Sequence, residues 1–479
     1  MSTKERLVVI GGVAAGMSAA SSFKRIKPDA EAIVLEKDYF ISYGACSLPY
    51  YISGDVKNIK DLISVTPRAA TEERGITILV RHEALSIDPA GRKVRVHDLE
   101  KGNEKTISYD KLVIATGGSP IRPPLPGIDL GHIFTIRTLT DGIGVKKFIN
   151  QWLSFDACMG LDAEYTYMNC FEIQKRSMSA IIVGGGYIGM EMCESLRKRG
   201  LDVTVIEKMD RVMGNMDTTI TGIVEEKIRS EGVRLLKGLT VQGFEGEKGM
   251  VTTVNTDQGA YEADLVLLAI GVKPNVNIAR GAGVELGAGG AIRVDEHLCT
   301  NVPDIFAAGD CAEAVQLVTG KKVYIPLGTT ANKQGRIAGE NAAGTDRTFE
   351  GVVGTAVTKI FDLEVARTGL SPLEAEREGY EYFVSAIEGK SRSSAYPSGK
   401  PITVAYTVEQ NTGRLLGAQM AGVEGVAHRI DTLAACLYNR MTVEGVARLD
   451  LGYAPPFATV WDPILTAANV ALKKLKKTK

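Results

Sequence analysis

Two stretches of this chain share one pattern: an apolar run, a cluster of glycines, then helix-forming residues. In "AIIVGGGYIGMEMCESLRKRGLDVTVIE" (180–207), Gly184, Gly186 and Gly189 fall at the spacing of a dinucleotide fingerprint. The apolar run predicts a buried parallel strand. The glycines predict a tight turn into a helix whose free N–H groups can hold a pyrophosphate. Tyr187 and Ile188 open that helix, and Glu207 ends the next apolar run, where a carboxylate meets a ribose hydroxyl. An acid there favours NADH over NADPH because it repels a 2′-phosphate, and Lys208 beside it softens the preference.

The earlier stretch, "RLVVIGGVAAGMSAA" (6–20), places Gly11, Gly12 and Gly16 around Val13, Ala14 and Ala15. Val13 stands where the fingerprint's middle glycine belongs. The context supplies what the spacing lacks: "EAIVLEK" follows as a second strand, ending at Glu36 and Lys37, with Glu36 about 20 residues past the glycines. A βαβ unit that binds nothing is the alternative for this segment alone. Two such units on one chain imply two dinucleotides and electron transfer between them.

The 479 residues suffice for two or three domains. Lys and Arg number 56 and Asp and Glu 57, a net charge of −1 that points to neither nucleic acid nor an acidic tail. The start, "MSTKERLVVIGG", predicts no signal peptide, and no apolar run is long enough to span a bilayer. The basic end, "ALKKLKKTK", reads as a solvated helix terminus. The seven cysteines (46, 158, 170, 193, 299, 311, 436) form no CxxC and no Cys/His cluster. That predicts a reducing, cytoplasmic setting, no disulfide framework and no metal site.

Three further stretches lead from strands into small-residue turns. They are "LVIATGGSP" (112–120) with Thr116 and Gly117, "LVLLAIGVKPN" (265–275) with Gly271, and "TNVPDIFAAGDCAE" (301–314) with Asp310. Together and in this order, the five motifs resemble the FAD-dependent pyridine nucleotide–disulfide oxidoreductase superfamily. The resemblance implies an α/β fold: two Rossmann-like dinucleotide-binding domains (FAD and NAD(P)H) plus a C-terminal α+β dimerisation domain. FAD would take 1–121 and 276–345, NAD(P)H 122–275, and the dimer contact 346–479. The motif residues named above become cofactor-binding, with Asp310 on the flavin's ribityl and phosphate region. A homodimer follows, since each active site of this family borrows residues from the partner subunit.

"ISYGACSLPYYISG" (41–54) holds one cysteine, Cys46, where the dithiol members carry CxxxxC. It resembles the single-cysteine branch, above all the coenzyme A-disulfide reductases and NADH-dependent persulfide reductases. Cys46 matches their redox thiol. Ser42 matches a residue near bound CoA, and Arg25 a CoA contact, with Ser22 one helical turn before it. Tyr396 and Tyr453 match tyrosines placed near the thiol from the opposite subunit, Tyr187 an aromatic covering the flavin, and Asn332 a group reaching the thiol or its substrate. The bland readings are loop packing for the tyrosines and a solvated helix end for Arg25. The residues agree with a redox role: Cys46 follows a Ser/Gly turn and opens a helix, where N–H groups lower a thiol's pKa. The expected reaction is reduction of CoA disulfide, CoA persulfide or polysulfide by NAD(P)H through a mixed disulfide on Cys46. The alternatives are an NADH oxidase or peroxidase cycle on a Cys46 sulfenic acid, and a flavoprotein sensor without turnover.

The last third predicts two strands and a helix from 355, a hairpin turning at Asn411-Thr412-Gly413, and helices beyond. One segment, 152–176, is longer than the resemblance requires and reads as a surface insertion or as a lid or partner contact. The chain is expected to lack the rhodanese domain that some persulfide reductases append.

Overall fold

The computed structural model describes residues 4–155 and 177–478. β1 (Arg6–Ile10), α1 (Ala14–Ile26) and β2 (Glu31–Glu36) form the first βαβ unit. β1 is the centre of a five-stranded parallel sheet ordered Ile305–Ala307, Lys111–Ile114, β1, β2, Thr77–Val80. Leu7, Val8 and Val9 are fully buried, as a strand covered on both faces requires. The outermost strand, Ile305–Ala307, returns from far down the chain. After β2 come a 3₁₀ turn, Ala45–Ser47, and the short α2 (Leu48–Ser53).

The unit recurs as β3 (Ser179–Val183), α3 (Tyr187–Lys198) and β4 (Asp202–Glu207). Its parallel sheet runs Arg234–Lys237, β4, β3, Leu265–Leu268, Ile133–Phe134. α2 joins the two halves: Leu48 and Ile52 share one core with Met190 and Cys193 of α3. The helix Leu139–Phe155 lies against the same core, and its Gly142 lets α2 come close, because a Cβ there would lie 2.6 Å from Leu48 Cδ2.

α4 (Gly328–Ala342) closes back on α1. A Cβ at Gly335 or Gly339 would lie 2.2 Å from Ala15 O or 2.1 Å from Ala19 O, so the two helices meet backbone to backbone. The chain then forms an antiparallel sheet ordered β5 (Ala356–Ile360), Leu363–Gly369, Leu415–Gly422, Pro401–Glu409, Tyr382–Lys390. Helices Val426–Tyr438 and Pro463–Thr478 pack on it through Leu433, Ile464 and Ala468, with Tyr406 fully buried among them. The hairpin turns where the sequence expects: Gly413 takes φ +74°, and its N–H donates to Glu409 O at 2.9 Å. Of segment 152–176, residues 152–155 continue the helix Leu139–Phe155, and the rest, with Cys158 and Cys170, lies outside the described residues. No described helix is long and apolar enough to cross a membrane. No described cluster of His, Cys, Asp or Glu could hold a metal ion.

Candidate active site

The two fingerprints fold into matching cradles. Gly11 and Gly184 take φ +107° and +106°, closed to other residues, since a Cβ would lie 2.1 Å from Ala115 O and 2.5 Å from Ala269 O. A Cβ at Gly16 would sit 1.8 Å from Gly11 O, and one at Gly189 2.1 Å from Gly184 O. The carboxylates are clasped alike. Glu36 accepts the N–H groups of Gly12 (2.8 Å) and Asp38 (2.9 Å); Glu207 accepts those of Gly185 (2.6 Å) and Met209 (2.8 Å). Burial lifts the Glu36 carboxyl above its ordinary range despite these two donors. Val13 and Gly186 stand at the N-caps of α1 and α3, and neither helix has a side-chain cap. A Cβ at Gly186 would meet nothing within 4 Å, so the space over α3 is open. Free helix N–H groups beside a fixed carboxylate suit a dinucleotide's pyrophosphate and ribose at each cradle. Ala15 is buried, and Lys37 is exposed at the rim.

Asn275 fastens the small-residue turns to each other. Its Nδ2 donates to Thr116 O (2.9 Å), its N–H to Gly117 O (2.9 Å), and its carbonyl accepts the Thr116 hydroxyl (2.6 Å). Gly117 and Gly271 there take φ +65° and +115°. Asp310 is paired with Arg137 Nη2 at 2.5 Å. Neither Asn275 nor Arg137 stood out in sequence, because their partners lie more than a hundred residues away.

The Cys46 turn hangs from the first cradle. Ser42 takes φ +45°, a left-handed conformation that costs about 1–2 kcal/mol for a residue other than glycine. It is held there by its N–H to Gly12 O (2.9 Å) and by the Ser64 N–H to its own carbonyl (2.7 Å). Gly44 N–H then donates to Leu62 O at 2.9 Å. Cys46 is exposed within the 3₁₀ turn that precedes α2. The expected lowering of its pKa is not found. Desolvation raises it first and the Glu191 charge next; Arg137 opposes them, and Asp310 adds a smaller rise. The physical reason is local: Cys46 lies ahead of a helix of six residues, too short for its N–H groups to outweigh the desolvation by surrounding protein and the nearby carboxylates, although the thiol itself reaches solvent. Cys193, Cys311 and Cys436 are buried and Cys299 is half-exposed, none of them in a disulfide.

Ser18, Ser22 and Arg25 lie along one stripe of α1. Ser18 donates to Asn332 Oδ1 at 2.9 Å, Arg25 is exposed, and Ser22 is buried. Asn332 Nδ2 also donates to Gly328 O at 3.1 Å. Ser18, one helical turn before Ser22 on this stripe, is thereby joined to α4. Tyr187 heads α3, its phenol raised by burial, with the Arg367 charge opposing. Tyr396 and Tyr453 are exposed, and neither hydroxyl has a hydrogen-bond partner among the described residues. Phe457 and Trp461, near Tyr453 in the chain, are 78% and 63% exposed, an uncovered apolar stretch.

Residues 5–335 match the family "Pyridine nucleotide-disulphide oxidoreductase", and residues 355–463 match its dimerisation domain. The chain is 38% identical to a Pyrococcus horikoshii NAD(P)H coenzyme A polysulfide/persulfide reductase, over 98% of each chain. It is 35% identical to a Methanocaldococcus jannaschii NADH oxidase, over 98% of this chain and 99% of that one. It superimposes on an NAD-dependent persulfide reductase from A. fulgidus with a TM-score of 0.91 and 36% identity, over 98% of this chain and 84% of that one. Paired cradles, a tethered single thiol and these matches agree: the chain belongs to the pyridine nucleotide-disulphide oxidoreductase family.

Proposed function

We propose that this chain is an FAD-dependent NAD(P)H oxidoreductase that reduces a CoA-linked disulfide, persulfide or polysulfide through Cys46. The observation that carries the reading is the position of Cys46. It is an exposed thiol on a turn tied by Ser42 to the first cradle and resting through α2 on the helix of the second. The chemistry that FAD would supply there is two-electron transfer from NAD(P)H to a disulfide sulfur. Gly11, Gly12, Gly16, Glu36, Thr116, Gly117 and Asp310 hold FAD in this reading, with residues 1–121 and 276–345 forming its domain. Gly184, Gly186, Gly189 and Glu207 hold NAD(P)H.

The Cys46 thiolate attacks one substrate sulfur; the S–S bond breaks, a first thiolate leaves, and Cys46–S–S–R remains. Two electrons and a proton then restore the Cys46 thiolate and release RSH. One protein thiol suffices because the substrate supplies the other sulfur. Ser22, Arg25, Ser42 and Asn332 form the side on which CoA binds, with Ser18 bonded to Asn332. Tyr396 and Tyr453 reach the thiol from a second copy of the chain, which covers Phe457 and Trp461. A homodimer in a reducing cytoplasm completes the reading.

Anaerobic stopped-flow tests it: NADH should reduce the flavin, and CoA disulfide or CoA persulfide should reoxidise it. Reoxidation by oxygen or peroxide alone would transfer the assignment to an oxidase cycle on a Cys46 sulfenic acid, the activity named for the M. jannaschii relative. Two variants check the assigned roles. Glu207→Ala removes the charge that repels a 2′-phosphate and keeps Lys208, so the NADPH/NADH ratio of kcat/KM should rise about ten- to a hundredfold. Tyr453→Phe removes a proton donor and should slow acceptor turnover by about 10²-fold without slowing flavin reduction by NADH.

A further inference from the structure

The loop that leaves the second cradle is held from two sides. Between Glu207 and the helix Thr218–Ser230 the chain passes through Met213, which takes φ +46°. A left-handed conformation at a methionine needs support from outside the residue. On the cradle side, the Met213 N–H donates to Gly185 O at 2.8 Å, and the Met216 N–H closes a turn onto Met213 O at 2.8 Å. Val212 is fully buried and presses on the same glycine, where a Cβ would lie 2.9 Å from Val212 Cγ1. Gly185 is also the residue whose N–H fixes Glu207.

The other side is the C-terminal sheet. Arg367 of Leu363–Gly369 and Gln419 of Leu415–Gly422 are register partners, 7% and 2% exposed. Arg367 Nη1 donates to Asn215 O at 3.0 Å. Its Nη2 donates to Gly369 O at 2.8 Å and pairs with Glu374, which neutralises the buried charge. Gln419 Oε1 accepts the Asp217 N–H at 2.5 Å. Gln419 Nε2 has no hydrogen-bond partner among the described residues, so the bond to the loop is the one this side chain makes. Asp217 in turn caps Thr218–Ser230 by accepting the Thr219 N–H at 2.8 Å. Residues 215 and 217 are thus gripped by the sheet, and 212 and 213 by the cradle. One line of bonds runs from Arg367 through Asn215, Met216 and Met213 to Gly185 and Glu207.

We propose that Arg367 and Gln419 are positioning residues for the second cradle: from the C-terminal sheet they hold the 208–217 loop against Gly185, and so fix Glu207 for the ribose of NAD(P)H. The inference rests on the reading of Gly184 to Glu207 as the NAD(P)H site. Both residues act through the loop. A site held in its binding geometry spends none of the ligand's affinity on ordering itself. Releasing the loop therefore weakens binding, while a dinucleotide that has bound still delivers its hydride from the far end at the same rate.

Hydrogen exchange of peptides covering 208–217, read by mass spectrometry on the FAD-bound protein, measures the grip without turnover. Arg367→Met keeps the stem and loses the donors, Gln419→Leu loses the acceptor, and Gln419→Glu keeps it beside Arg367. The first two should exchange this loop about tenfold faster than wild type, and the third close to wild type. Anaerobic stopped-flow gives the second readout. The NADH concentration for half-maximal flavin reduction should rise about three- to twentyfold in Arg367→Met and Gln419→Leu, with the limiting rate within about twofold of wild type. Gln419→Glu should restore the half-saturation. FAD content reports folding, and if Arg367→Met loses its flavin, Gln419→Leu decides. Wild-type half-saturation at equal FAD content, or a fall confined to the limiting rate, overturns the proposal. Failure of the NAD(P)H reading itself would show earlier, as wild-type flavin that NADH does not reduce.

Discussion

Cys46→Ser should lower turnover with CoA disulfide and CoA persulfide by a factor of about 10³ or more, while NADH reduces the flavin at the wild-type rate. The separation follows from position. Cys46 lies on the turn at Ala45–Ser47, outside both cradles, and none of the backbone bonds that hold Ser42 and Gly44 uses the thiol. Serine is nearly isosteric there, so FAD content and stability should match wild type within about 0.5 kcal/mol, as for an exposed substitution. Stopped-flow reduction and steady-state acceptor kinetics measure the two halves separately. Wild-type acceptor turnover in this variant would remove Cys46 from the mechanism.

Protein recovered from Gly16→Ala should have lost most of its FAD. The new methyl would lie 1.8 Å from Gly11 O and 3.1 Å from Val9 Cγ1, so α1 must move away from the turn that it closes. Overpacking of this kind costs about 1–3 kcal/mol, and here it falls on the cradle itself. Gly189→Ala is the counterpart in the other cradle, 2.1 Å from Gly184 O. It should retain FAD yet slow flavin reduction by NADH about ten- to a hundredfold. The flavin's absorbance per mole of protein and the reduction rate with NADH read out the pair. Equal FAD loss in both variants would mean that the cradles are not separate sites.

The strands, the glycine turns and the carboxylates at their ends were legible because each depends on neighbours in sequence. Leu7–Ile10 and Ala180–Val183 are apolar where a buried parallel strand must be, and Gly11 and Gly184 stand where φ is positive. Val13, which breaks the fingerprint, is the N-cap of α1, at φ −99° and ψ −136° and with no side-chain cap. Partners distant in sequence were not legible. Arg137 finds Asp310 across 173 positions, and Asn275 finds Thr116 across 159. Ser18 of the same helical stripe as Ser22 finds Asn332 across 314 positions. The thiol's raised pKa was missed for the same reason, since its causes include Glu191 on a helix that the sequence reads only as a nucleotide-binding element.

The seam between α1 and α4 bears on how the protein is born. The first sheet takes its outer strand from Ile305–Ala307, and α1 meets its closest neighbour only at Gly335 and Gly339. A ribosome delivers residues in order at roughly 5–20 per second, so the opening βαβ unit waits, uncovered, while the intervening chain is made. The sheet around β3 needs nothing beyond Leu265–Leu268 to complete its strands. A nascent chain therefore finishes its second cradle before it can close its first.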